Sequence, residues 1–171
     1  MGDLFHSYVP VEQVDRAGSV MSQCPQHTFL LLSKRPKNME HYFAVRVSFP
    51  GAANYHPLPN VWLGTSIENQ RAADERIPHL LKCPAALRWL SVEPLLEAVD
   101  LRQWLGATHV DVIGDDARRN DGAAWVDGLR WVVAGCESGR TRRPCDPDWL
   151  RGIRNQCVDA DVPFDSAMWP P

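Results

Sequence analysis

Four short stretches of the chain are almost continuously apolar: residues 28–33, 60–66, 87–92 and 129–134. Each is bounded by proline, glycine or polar clusters. Runs of this length and apolarity suit β-strands covered on both faces, as in a parallel sheet. A fifth candidate strand, 162–168, is interrupted by Asp165 and Ser166. Between these runs the apolar spacing becomes helical. Residues 11–24 carry Val11, Val14, Ala17, Val20 and Met21 at that spacing, and residues 69–82 carry Ala72, Ala73, Ile77, Leu80 and Leu81. Pro78 is expected to bend or end the second of these helices. In residues 146–160, Asp146 reads as the N-cap and Pro147 as the first helical residue, with Trp149, Leu150, Ile153 and Cys157 on one face. Such alternation of strand, loop and helix predicts a parallel α/β architecture in a single domain spanning 1–171. Residues 44–59 read as a surface excursion and 107–124 as a solvent loop.

Each of the four strands ends in a polar segment. The first runs into Ser33-Lys34-Arg35-Pro36, the second into Ser66-Ile67-Glu68-Asn69, the third into Glu93-Pro94, and the fourth into Gly135-Cys136-Glu137-Ser138-Gly139-Arg140. In a parallel barrel all strand carboxyl ends open onto one face. Lys34, Arg35, Ser66, Glu68, Glu93, Glu137 and Ser138 are therefore expected to converge on a ligand-binding face. Carboxylates there suit ribose hydroxyls, an ammonium group or acid–base work, and Lys34 and Arg35 suit a carboxylate or phosphate. Each residue also has a plainer role open to it: Glu68-Asn69 as the start of a helix, Glu93-Pro94 as a turn. Arg140, Arg142 and Arg143, with Arg151 and Arg154, form the strongest basic cluster. They suit either an anion or nucleic-acid contact or a solvated helix entry paired with Glu137, Asp146 and Asp148. Trp62, Trp89, Trp131 and Trp149 sit at apolar positions and read as core.

Composition narrows the class further. The chain is 44% hydrophobic and 23% charged, normal for a folded protein, and its net charge of −3 argues against wholesale electrostatic binding of nucleic acid. No apolar run approaches the length of a membrane span, and no secretory or myristoylation pattern opens the chain, so a cytoplasmic protein is expected. The five cysteines, Cys24, Cys83, Cys136, Cys145 and Cys157, form no Cys-x-x-Cys pair, and no histidine lies at metal-ligand spacing. Reduced thiols and no metal site are expected, with Cys24 and Cys157 as buried helix residues.

Several segments in order, among them Met1-Gly-Asp-Leu-Phe-His6, Ser33-Lys-Arg-Pro36, Asn60-Val-Trp-Leu-Gly-Thr-Ser-Ile-Glu-Asn69, Ser91-Val-Glu-Pro-Leu-Leu96 and Glu137-Ser-Gly139, carry a resemblance. Together they resemble a phage- and mobile-element-associated family of uncharacterised proteins related to radical SAM barrels, sometimes called three-Cys-motif proteins. The resemblance implies full-length relatives with two further βα units ahead of this segment. The first would hold a cysteine triad for a 4Fe-4S cluster, whose open iron binds S-adenosylmethionine. By that comparison this chain is a partial (βα) barrel, an N-terminally truncated copy without the triad and hence with no cofactor of its own.

Other departures point the same way. Cys136 stands where relatives usually carry glycine, and Phe164-Asp-Ser-Ala-Met-Trp-Pro-Pro171 replaces an aromatic run followed by Lys-Gln-Trp-Gly. Asp165 thus enters a core strand, at a cost unless paired. An open sheet edge predicts a homo-oligomer or a partner chain. Three functional readings compete. One is a retained part of a nucleotide or S-adenosylmethionine ligand face, with radical chemistry by this chain alone not expected. The second is a non-enzymatic accessory protein that binds nucleic acid or a partner, and the third is an inactive remnant.

Overall fold

The computed structural model describes residues 2–47, 57–106 and 128–166. They form helix α1 (Val11–Gln23), strand β1 (Phe29–Ser33), helix α2 (Pro36–Val47), strand β2 (Val61–Ile67), helix α3 (Gln70–Leu81), strand β3 (Leu87–Val92), strand β4 (Trp131–Ala134), helix α4 (Pro147–Asp159) and strand β5 (Phe164–Ser166). A 3-10 turn, Arg102–Trp104, lies between β3 and β4. The expected excursion and solvent loop fall largely outside the described residues.

Local chemistry explains the helix ends. Asn69 accepts a hydrogen bond from the Ala72 amide at 2.8 Å and so caps α3. Asp146 accepts from the Asp148 amide at 2.9 Å, with Pro147 opening α4. Pro78, expected to bend or end α3, lies inside a helix that continues to Leu81. Its ring denies an amide donor to the carbonyl of Asp74, but both residues are exposed, so water can satisfy that carbonyl. Helix α2 departs from expectation, because residues 44–59 read as an excursion. Its signal is Pro36 at the first position followed by Met39, Tyr42 and Phe43 at intervals of three and four.

The five strands are all parallel and lie in sequential order, β1-β2-β3-β4-β5. Each right-handed crossover in such an order puts its helix on the same side of the sheet. On that side Leu63, Ile67, Leu90, Val92, Val132 and Ala134 are buried in one core with Ile77 and Leu80 of α3 and Ile153 and Cys157 of α4. Helices α1 and α2 close over Leu31, Val61 and Leu63 through Val14, Met21, Tyr42 and Phe43. Parallel strands alternating with helices match the expected α/β class.

The opposite, helix-free face is set by the register. Gly64, Trp89 and Trp131 are in-register neighbours, and so are Ser66, Ser91, Val133 and Asp165. Trp89 is buried, whereas Trp62 and Trp131 are half-buried. The rings of Trp62 and Trp131 meet edge-on at 6.1 Å, and those of Trp89 and Trp131 lie 5.2 Å apart. The expected core placement thus holds for Trp89 alone of these three. Asp165 also departs from expectation. It is exposed on the last strand rather than embedded in the core, and it accepts a hydrogen bond from Trp131 Nε1 at 2.7 Å.

Candidate functional site

Because every strand runs the same way, the polar strand ends share one rim of the sheet. The rim is stitched together by backbone bonds. Gly135 N donates to Val92 O at 3.1 Å, Leu95 N to Gly135 O at 2.9 Å and Leu96 N to Glu68 O at 3.0 Å. The segment after β3 therefore bridges the ends of β2 and β4. Its Glu93-Pro94 peptide is cis.

At the β1 end, Asp3 organises the turn. Its carboxylate accepts from Phe5 N at 3.0 Å, Lys34 N at 3.3 Å and Arg35 Nη1 at 2.9 Å. Partial burial opposes its ionisation, but donors from Ser33, Phe5, Arg35 and Lys34 prevail and hold the carboxyl below its ordinary value. Arg35 is thereby tied to the opening loop, while Lys34 keeps an exposed side chain.

At the β2 end Arg76, which sequence reasoning missed, reaches back from α3. It donates to Ser66 O at 2.7 Å and grips Glu68 in a bidentate pair at 2.9 and 3.2 Å. Spacing holds a signal for it, since a helix capped at Asn69 turns position 76 back toward the strand it follows.

The β4 end repeats the device. Arg143 grips Glu137 through Nε at 2.8 Å and Nη2 at 3.0 Å, and its amide adds a third bond at 2.9 Å. These donors hold the Glu137 carboxyl down to about 2. Glu68 lies within electrostatic reach of Arg143 across the end of β3. Ser138, Arg140 and Arg142 are exposed, and no ion pair joins either arginine to the described residues. Arg151 pairs with Asp148 at 2.5 Å, and Arg154 bonds Asn155. Three of the five arginines thus have local partners, while Arg140 and Arg142 have no ion pair among the described residues.

Glu93 is different. Its one side-chain hydrogen bond among the described residues is from the Ser91 hydroxyl, which donates to Oε2 at 3.3 Å. Ser91 and Ser66 are buried neighbours on the helix-free face, and the bond to Ser91 shows that Glu93 stands above them on that face. Trp89 lies two residues below Ser91, about 7 Å along the strand. Its indole N–H is buried with no hydrogen-bond acceptor among the described residues. A half-buried carboxylate, two buried serines and an unsatisfied indole N–H thus line one strip of sheet. Such a strip can accept hydrogen bonds from ligand hydroxyls or amines, and the half-buried rings of Trp62 and Trp131 beside it can stack a planar group.

The cysteines do not fit an iron–sulfur cluster. Cys136 and Cys145, expected as reduced thiols, are joined in a disulfide. The fold-back of the loop between β4 and α4 pairs them, which their spacing of nine residues did not signal. Cys83 and Cys157 are buried free thiols, and Cys24, expected to be buried, is only half-buried. Among the described residues no three His, Cys, Asp or Glu side chains converge as metal ligands would.

Fold and site define a sequentially wound parallel α/β protein with a polar strand-end rim. Residues 1–170 match the family model described as protein of unknown function (DUF5131), and the chain belongs to that family. No curated protein and no solved structure matches it. Among the described residues, no helix is long and apolar enough to cross a membrane.

Proposed function

We propose that this chain is a sector of a (βα) barrel, related to the phage-associated radical-SAM-like proteins it resembles, and that it binds a nucleoside-type ligand of the S-adenosylmethionine class on its helix-free face. Sequential strand order and one-sided helices support the barrel sector. The observation that carries the ligand reading is the Ser91–Glu93 pair set above Trp89 on that face. Glu68 and Glu137 are already gripped by arginines, which leaves Glu93 as the rim carboxylate with capacity to accept from ribose hydroxyls or an ammonium group. The half-buried rings of Trp62 and Trp131 on the same face supply stacking for a purine. The cysteines present do not fit a cluster, so no radical step is assigned to this chain.

Isothermal titration calorimetry of the full chain with S-adenosylmethionine, and separately with adenosine, tests the reading. Saturable heat is expected, weakened about tenfold in Glu93→Gln through loss of a charged acceptor. No heat at millimolar ligand, or unchanged affinity in that variant, would sink it.

A further inference from the structure

The loop that joins β4 to α4 begins and ends at cysteine. Cys136 directly follows Gly135, which is fixed to Val92 and Leu95 by backbone bonds, and Cys145 directly precedes Asp146, the cap of α4. The disulfide therefore staples a strand end to a helix start, across a sequence separation of nine residues. Residues 138–144 between them are all exposed, and the Glu137–Arg143 pair joins the loop to itself. Both cysteines are half-buried rather than enclosed, at the edge of the core. Arg140, Arg142 and Arg143 crowd the same loop, and positive charge favours the thiolate that thiol–disulfide exchange requires.

We propose that Cys136 and Cys145 form a reversible thiol–disulfide switch that sets whether the loop carrying Glu137 and Arg143 is held at the strand-end rim. The oxidant is a small-molecule disulfide such as glutathione disulfide. One cysteine thiolate attacks a glutathione sulfur, forming a mixed disulfide and expelling glutathione thiolate. The second cysteine thiolate then attacks the protein sulfur of that mixed bond and expels the second glutathione. Two electrons pass from the two thiols to glutathione disulfide, and the two thiol protons end on the two glutathiones. Reduction runs the same steps backwards. This switch stands independently of any ligand on the helix-free face.

The remaining cysteines permit a clean test. Burial pushes the Cys83 thiol up to about 12 and the Cys157 thiol up to about 11, which leaves both slow to react in the folded protein. Cys24→Ser removes the half-buried one. The full chain with that substitution is equilibrated with glutathione disulfide or with glutathione, alkylated, and mapped by mass spectrometry; in parallel, trypsin cleavage after Arg140 and Arg142 is timed. The expected result is a Cys136–Cys145 cross-linked peptide in the oxidising buffer and two alkylated cysteines in the reducing one. Loop cleavage is expected to be about tenfold faster on reduction, since proteolysis follows the population of the opened loop. Cys136→Ser should cleave at the fast rate in both buffers. Cysteines that stay alkylatable in the oxidising buffer, or cleavage rates that do not differ between buffers, would overturn the proposal.

Discussion

Gly64 lies beneath the indole of Trp89: a Cβ at position 64 would sit 2.4 Å from a ring carbon and 2.6 Å from Nε1. The two residues are in register on β2 and β3, so the absent side chain on one strand makes the space for the largest side chain on the next.

Gly64→Ala is therefore expected to destabilise the fold by about 1–3 kcal/mol, the usual cost of overpacking. Urea denaturation measures it. Adding Trp89→Leu should restore part of the loss, because the clash disappears with the ring. Additive effects of the two changes would mean that the contact is not the cause.

Arg76→Ala strips a half-buried carboxylate, Glu68, of its bidentate partner and Ser66 O of its donor. The expected cost is about 1–3 kcal/mol. Lysine at 76 should recover little, since an ammonium cannot reproduce the planar fork. A lysine variant as stable as wild type would contradict this reading.

Acid should loosen the opening loop and the α2–α3 contact. Asp3 is held below its ordinary value of 3.8, partial burial being outweighed by the Ser33, Phe5, Arg35 and Lys34 donors. Glu40 is held below 4.5, its partial burial outweighed by His79, bonded at 2.5 Å, and by Lys82. In both cases the unfolded chain takes up protons more readily than the folded one. The stabilisation is thus complete above the ordinary value and is lost as pH falls through the lower, folded value. Asp3→Asn should flatten the acid limb of a pH–stability profile below about pH 4. A limb of wild-type steepness would show that other groups govern it.

The Cys136–Cys145 bridge closes a ring of roughly ten residues, for which chain entropy gives about 2–3 kcal/mol. Replacing either cysteine with serine should lower stability by that amount in oxidising buffer and leave it unchanged in excess reductant. Denaturation curves in the two buffers provide the comparison.

How much of the molecule was legible along the chain depends on the range of the interaction. Residues 87–92 match β3 end to end, and the α3 and α4 caps lie where Asn69 and Asp146 signalled them. These are short-range features, set by apolar runs and by side chains that bond amides two or three residues away. The candidate site was legible only as a set of strand ends. Nothing local to Glu68, Glu93 and Glu137 distinguishes them; their partners do. Arg76 and Arg143 neutralise two of the three, while Glu93 bonds only Ser91 among the described residues.

By itself, the amino-acid sequence determined the parallel α/β class, most element positions and the polar tip of each strand, because burial periodicity and capping are written in neighbouring residues. Tertiary structure alone decided that the helices share one face, that Trp89 nests over Gly64, that Asp165 faces outward beside Trp131, and that Cys136 meets Cys145. Those outcomes arise from strand order and register, which place residues far apart in the chain side by side, and no local pattern encodes that distance.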